Sequence, residues 1–152
     1  MKRSEKVNEE ESCEETLHKR IINKRLLATL NQVSIGITGG LNLSQTNIRQ
    51  GQNLGFIETI HINSFFGQVI YESLHHQAAA YMFNVIKNHT FNDGNKRTGL
   101  LAAVCFLKWN GVHLKPFDQD RAYDFVIEVA AGPNDPDTVI PKIAEWFKSM
   151  EI

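Results

Sequence analysis

The chain has 152 residues, of which 42% are hydrophobic, and this is enough for one domain with a buried core. Its formal net charge of −1 gives no electrostatic reason to expect nucleic acid or an anionic membrane as a partner. No apolar run approaches the roughly 20 residues that cross a bilayer, and the N-terminus has no apolar stretch of signal-peptide type, so we expect a cytoplasmic protein.

The N-terminal third of the chain predicts a tail, a helix and a loop. Residues 1–15 are dense in Glu, Lys and Arg and predict a charged flexible tail, which leaves residues 16–152 as the folded domain. Apolar residues recur at helical spacing from Leu17 to Val33 and predict a first amphipathic helix. Glycines then interrupt the pattern, and the polar stretch 41–55 predicts a loop.

The segment Thr59 to Asn63 alternates polar and apolar residues, which is the period of a strand. Glycines bracket it, so we predict a small β-hairpin flap on a helical body. A target segment could add to such an edge strand through backbone hydrogen bonds. The residues of this predicted docking strand are Ile60, His61 and Ile62. The alternative is that the two isoleucines only pack the flap onto the helices.

Four further helices follow, and they predict an all-α, compact helical domain with the small hairpin flap. The first runs from about Gln68 to Asn88, and the second is the apolar run after "GNKRTG", ended by Gly111. The third is "DRAYDFVIEVAAG", closed by its own glycine. Pro141 is expected in the first turn of the last helix, where proline is tolerated.

The stretch "NHTFNDGNKRTGLL", residues 88–101, places polar groups at the N-terminus of the most apolar helix. Free N–H groups and the positive end of the helix dipole make such a terminus an anion site. Gly94 lets the backbone approach a ligand, Asn95 can help to form an anion-holding concavity, and Lys96 and Arg97 add positive charge. These four residues are the predicted phosphate-binding set.

Three more residues of this stretch complete a reaction site. Asp93 can act on phosphates through Mg²⁺, which takes oxygen ligands from a carboxylate and from the substrate. His89 has the side chain of a general base near neutral pH. Phe91, the apolar residue between them, is predicted to anchor the loop in the core. The chemistry indicated is phosphoryl or nucleotidyl transfer.

Simpler readings compete with this one. The stretch could be a helix N-cap with solvated charges, but that leaves His89 without a role. A P-loop is excluded because no Gly-Lys-[Ser/Thr] is present. Glu72 with His75 and His76 suggests a metal site, against the ordinary reading of exposed or hydrogen-bonded histidines on a long helix.

The motif "HTFNDGNKR" resembles the signature of the Fic/Doc family, H-x-F-x-[D/E]-[G/A]-N-[G/K]-R, at all seven defined positions. The resemblance extends over roughly residues 36 to 150. It implies a small all-α fold with a hairpin flap, and ATP or another nucleoside triphosphate as co-substrate. It implies that His89 deprotonates a hydroxyl of a target protein and that Asp93 binds Mg²⁺ or Mn²⁺. It also implies that residues 94–96 form an anion hole and that Arg97 binds phosphate.

Three departures from the family pattern bear on the reaction. Most adenylyltransferases of the family have Gly in place of Lys96, a second Arg in place of Leu100, and Pro in place of Thr90. The first two departures resemble the Doc, or death-on-curing, branch, whose nucleotide is thought to lie reversed, so that the γ-phosphate faces the target hydroxyl. The resemblance thus implies a toxin-like protein kinase. AMP transfer and a catalytically silent binding domain remain the alternatives, and the intact His89 argues against the second.

The resemblance also implies partners. Many family members are inhibited by a helix with the pattern [S/T]-x-x-x-E-[G/N], but no Glu in this chain is followed by Gly or Asn. A separate small antitoxin is therefore the implied regulator. The implied target is a translation factor such as elongation factor Tu, with neither nucleic acid nor a membrane as partner.

Overall fold

The computed structural model describes residues 20–62, 64–65, 68–69 and 71–152. Six helices and one hairpin occur in that part of the chain, which confirms the all-α prediction. The predicted tail, residues 1–15, lies outside the described residues, as does Leu17. The elements are α1 (Lys24–Thr38), α2 (Phe56–Ile62), β1 (Ser64–Phe65), β2 (Gln68–Val69), α3 (Leu74–Lys87), α4 (Asn95–Trp109), α5 (Gln119–Ala131) and α6 (Pro136–Ser149).

Helix α1 begins later than the apolar pattern predicts. Asn23 is its N-cap, and the Oδ1 atom of this residue accepts a hydrogen bond of 2.8 Å from the Leu26 N–H. Ile22 precedes the cap and is buried, although it is not helical. Its apolar side chain thus fits the helical spacing without being part of the helix. At the other end, the helix runs through Gly36 to Thr38.

The predicted strand at Thr59 to Asn63 is wrong, because α2 is helical from Phe56 to Ile62. Ile57 and Ile60, three residues apart, are both buried, so one face of the turn packs into the core. The hairpin lies immediately after this helix. Its strands are antiparallel and have two residues each, with Ser64 paired to Val69. A hairpin is thus present as predicted, but later in the chain than the alternation indicated.

Helix α3 is the centre of the core and packs most extensively against α4 and α6. It starts at Leu74 rather than near Gln68, because Gln68 belongs to β2 and Ser73 caps the helix. Gly99 lets α4 approach α3 closely. A Cβ atom at this position would lie 3.0 Å from Ile86 Cγ1 and 3.1 Å from the Met82 carbonyl oxygen. The helix that carries the motif is therefore fixed directly on the core.

The C-terminal helices largely follow the sequence prediction. Gly111, at φ +83°, follows the end of α4, and Gly132 is the C-cap of α5. Pro141 is not in the first turn, however, because α6 begins at Pro136, which fills the first helical position. In the part of the chain that the structure describes, no helix has both the length and the apolar character needed to cross a membrane.

Candidate active site

The motif loop connects α3 to α4 and ends in a glycine with a left-handed backbone. Gly94 is the N-cap position of α4 at φ +74°, and no side chain caps the helix there. A Cβ atom on Gly94 would lie 3.3 Å from Asn31 Nδ2 and 3.4 Å from Ile35 Cγ1. Both the backbone conformation and the space therefore favour glycine. The N–H groups of the first turn of α4 are left available to an anion.

His89 occupies a left-handed conformation that is rare for a residue with a side chain. Its φ is +46°, which costs on the order of 1–2 kcal/mol for a non-glycine residue. The side chain is exposed. The strained backbone thus presents the imidazole to solvent at the edge of the loop, where a general base can reach an incoming hydroxyl.

Asn95 and Phe91 hold the loop in place. Phe91 is 1% exposed and forms an isolated antiparallel bridge with Ile48. The Asn95 side chain accepts from the Phe91 N–H at 2.8 Å and donates to the Phe91 carbonyl at 2.9 Å. Phe91 therefore anchors the loop in the core, as predicted from its apolar character. Because the side-chain amide of Asn95 binds the main chain of Phe91, the main-chain N–H of Asn95 is the group that is available to an anion.

The Asp93 carboxylate is oriented by two main-chain N–H groups. Oδ2 accepts from Leu41 at 2.9 Å and Oδ1 accepts from Gly94 at 2.8 Å. The Leu41 bond, followed by the Gly94 bond, holds the pKa of Asp93 below its ordinary value, so the group is ionised at neutral pH. A Cβ atom at Gly40 would lie only 2.7 Å from Asp93 Oδ2, so this glycine allows the approach.

The predicted catalytic, metal-binding and phosphate-binding residues line a single cleft of about 580 Å³. Lys96 is exposed in it, while Arg97 is half-buried and donates from Nη2 to the Gly39 carbonyl at 3.3 Å. The residues that line the cleft are Ile86, His89, Asn92, Asp93, Gly94, Asn95, Lys96, Arg97, Tyr123 and Ala130. A base, a carboxylate, two cations and a helix N-terminus are thus brought together.

Leu100 lies one turn further along α4 and does not line this cleft. It borders a separate apolar groove of about 340 Å³ between α1 and α4, together with Ile37 and Val104. Arg97 lies at the boundary between the cleft and this groove, and it lines both of them.

A buried network of amides supports the motif loop, and sequence reasoning missed it. Asn31 Nδ2 donates to the Asp93 carbonyl at 2.9 Å and to Thr98 Oγ1 at 3.0 Å. Asn47, at φ +57°, donates from Nδ2 to Asn31 Oδ1 at 3.0 Å. Both asparagines are 0% exposed. The available signal was Asn31 on the apolar face of α1, where a buried amide requires partners.

Tyr123 was missed as well. It lies on α5, is 62% exposed and lines the cleft opposite the motif. No motif marks it, because only the packing of α5 brings it to the site.

Ile60 and His61, the predicted docking residues whose side chains the structure describes, do not line the cleft. Ile60 is 1% exposed in the core, which favours the packing alternative for this residue. His61 Nε2 lies 2.7 Å from the Tyr81 hydroxyl, whose pKa is raised by burial. The strand predicted over Ile60, His61 and Ile62 is therefore wrong, because these residues are helical. That this segment docks a target protein stays a prediction.

The histidines of α3 have hydrogen-bond partners. His75 Nε2 pairs with Glu151 Oε2 at 2.8 Å, and His76 Nδ1 lies 2.6 Å from Ser73 Oγ. Among the described residues, no group of three or more His, Cys, Asp or Glu side chains could hold a metal ion. The Glu72, His75 and His76 combination therefore does not form a metal centre.

Fold and site together define a small helical domain whose charged motif loop opens a central helix. The model of the Fic/DOC family matches residues 15–107, and the chain therefore belongs to that family. It is similar to Toxin Doc of Mycolicibacterium smegmatis, with 42% identity over 87 residues, which is 57% of this chain and 67% of that protein. It is also similar to Protein kinase doc of Escherichia phage P1, with 29% identity over 135 residues, or 87% of this chain and 99% of that protein.

Proposed function

We propose that the protein transfers a phosphate-containing group from a nucleoside triphosphate, such as ATP, to a hydroxyl side chain of a target protein, and that the group is the γ-phosphoryl. The observation that carries the proposal is the shared cleft of His89, Asp93, Lys96 and Arg97 at the N-terminus of α4. Family membership and the relative named Protein kinase doc support it.

The phosphates bind at the N-terminus of α4. Main-chain N–H groups of the first turn, beginning at Asn95, donate to phosphate oxygens. Lys96 and Arg97 neutralise the remaining charge from the same cleft. These groups are held in place before the nucleotide arrives, so they stabilise the charge that develops during transfer without a large reorganisation.

Asp93 is the residue that would hold Mg²⁺ or Mn²⁺. Its carboxylate is ionised, faces the cleft and retains lone pairs beyond the two N–H bonds that it accepts. One carboxylate fits Mg²⁺, which commonly takes its other ligands from phosphates and water. When bound, the ion supplies charge neutralisation to the phosphates.

His89 acts as the general base. Its imidazole removes the proton of the target hydroxyl, the hydroxyl oxygen forms a bond to the γ-phosphorus, and the bond from that phosphorus to the bridging oxygen breaks. Nucleoside diphosphate leaves with the negative charge. The exposure of His89 allows the target side chain to enter from solvent.

Phosphoryl transfer is favoured over AMP transfer by two positions on α4. Lys96 adds a cation where a glycine would leave room for phosphate, and Leu100 faces an apolar groove rather than the cleft. Residue 100 therefore supplies no second positive charge that could bind the γ-phosphate in the orientation needed for AMP transfer. AMP transfer remains the alternative reaction, and a silent binding domain is the alternative of another class.

The partners follow from the same family membership. A small antitoxin is proposed as the regulator, supported by the relative named Toxin Doc. The proposed target is a translation factor such as elongation factor Tu, on the resemblance of the motif to that of the family.

The reaction is tested by incubating the purified protein with cell lysate, Mg²⁺ and ATP labelled at either the α- or the γ-phosphate. We expect label on protein from the γ-position alone, and none in excess chelator. Label from the α-position alone would establish AMP transfer instead. No label from either position, with nucleotide binding intact, would favour the silent binding domain.

A further inference from the structure

Arg49 holds the chain on both sides of His89. Its main-chain N–H donates to the Thr90 carbonyl at 3.0 Å, and its Nη2 donates to the Asn88 carbonyl at 3.2 Å. These two carbonyls belong to the residues immediately before and after His89. One residue of the preceding loop therefore fixes both neighbours of the imidazole-bearing residue.

The backbone at this point needs such support. His89 has φ +46°, a conformation that residues with a side chain rarely adopt. The main-chain bonds that the motif loop makes to α3 here are long. His89 N–H donates to the Ile86 carbonyl at 3.4 Å, and Thr90 N–H donates to the Val85 carbonyl at 3.4 Å. The two hydrogen bonds that Arg49 donates, at 3.0 and 3.2 Å, are shorter than these.

Thr90 itself adds little support. In this chain the Thr90 hydroxyl is buried and has no hydrogen-bond partner within the described residues. The neighbours of His89 are thus held by contacts from outside the motif as well as by those within it.

We propose that Arg49 is a positioning residue for His89, a role that rests on the transferase function proposed above. Its side chain binds the peptide that joins Asn88 to His89, and its main chain binds the peptide that joins Thr90 to Phe91. Arg49 does not line the cleft in which Lys96 and Arg97 lie, so we assign its cation to the loop and not to the nucleotide.

Arg49→Ala removes the side-chain bond but keeps the main-chain bond, and the exposed side chain leaves the core untouched. We expect the rate of γ-phosphate transfer at saturating ATP to fall ~10- to 100-fold, since small misplacements of a catalytic group have effects of this size. ATP affinity, measured by calorimetry with Mg²⁺, should stay unchanged. Arg49→Lys can still donate to the Asn88 carbonyl and should restore part of the rate.

Two further measurements decide the origin of any loss. Arg121→Ala, which removes an exposed arginine on α5, should leave the rate unchanged. The amide resonances of His89 and Thr90 in ¹⁵N spectra should shift or broaden in Arg49→Ala and return toward the wild-type positions in Arg49→Lys. These spectra are informative even if wild-type protein transfers no phosphate, an outcome that would defeat only the proposed function.

Three results would overturn the positioning role. A weakened ATP affinity that matches the loss of rate would place Arg49 in nucleotide binding. Recovery of the rate at high lysate concentration would place it in target docking. His89 and Thr90 resonances that are identical in the wild type and in Arg49→Ala would show that the side chain does not hold this backbone.

Discussion

Asp93 and Asn95 stand two residues apart in the motif but use their side chains differently. The Asn95 amide binds both main-chain groups of Phe91, so it sets the shape of the loop. The Asp93 carboxylate accepts from two N–H groups and still faces the cleft. Residue type and spacing identified both as site residues. They did not separate the group that faces the ligand from the group that orders the loop.

Asp93→Asn should destabilise the protein at neutral pH but not in strong acid. The folded-state pKa of Asp93 lies below its ordinary value of 3.8, because the Leu41 and Gly94 N–H groups favour the charged form. The resulting stability is complete above the unfolded-state value and is lost as the pH falls through the folded-state value. The free energies of unfolding of wild type and variant, from urea titrations, should therefore begin to converge as the pH falls below about 3.8 and should meet only below the folded-state pKa. A difference that stays constant with pH would contradict this.

At the scale of elements, the sequence predicts helices that have clear end signals and fails where the signals are short. Gly111 and Gly132 marked the ends of α4 and α5, and both lie where expected. The five residues Thr59 to Asn63 fit a strand period and a helical turn equally well. The helix buries Ile57 and Ile60 on one face, and this packing against the rest of the core favours a helix over a strand. Such tertiary packing is not visible in the local sequence pattern.

Ile60→Ala should destabilise the protein by about 2–5 kcal/mol, because it leaves a cavity in the core below α2. Thr59→Ala, at the exposed neighbouring position, is the matched control and should change the free energy of unfolding by less than about 0.5 kcal/mol. Guanidinium unfolding of both variants measures the difference. Equal effects would indicate that α2 is not packed as described.

The first turn of α4 carries Lys96, the residue whose substitution distinguishes phosphoryl transfer from AMP transfer. Lys96→Gly and Lys96→Ala both remove the charge and should both lower γ-phosphate transfer, but only glycine opens the backbone to closer approach of phosphate. We therefore expect some α-phosphate transfer from Lys96→Gly and none from Lys96→Ala. Thermal unfolding should first confirm that each variant folds. If the wild-type protein transferred AMP and never the γ-phosphoryl group, the assignment of Doc-like phosphoryl transfer would be contradicted.

At the scale of the whole molecule, the site is assembled from parts of the chain that are distant in sequence. The motif supplies the side chains to which we assign the reaction, while α1 and the following loop supply Asn31, Asn47 and Arg49, and α5 supplies Tyr123. That the motif residues share one cleft could be predicted, because they form one contiguous signature. The supporting residues could not, since their roles exist only after α1, α4 and α5 pack around α3.

The proposed protein kinase activity, with His89 as its general base, is tested most directly by adding wild type or His89→Ala to cell lysate with Mg²⁺ and ATP. Mass spectrometry of all proteins then identifies the modified residues. His89 is exposed, so the variant should fold normally, and loss of a general base typically lowers rates by about 10² to 10⁴. We expect new phosphate on a Ser, Thr or Tyr hydroxyl of a target protein with wild type, and its near absence with the variant. Equal modification by both proteins would contradict it.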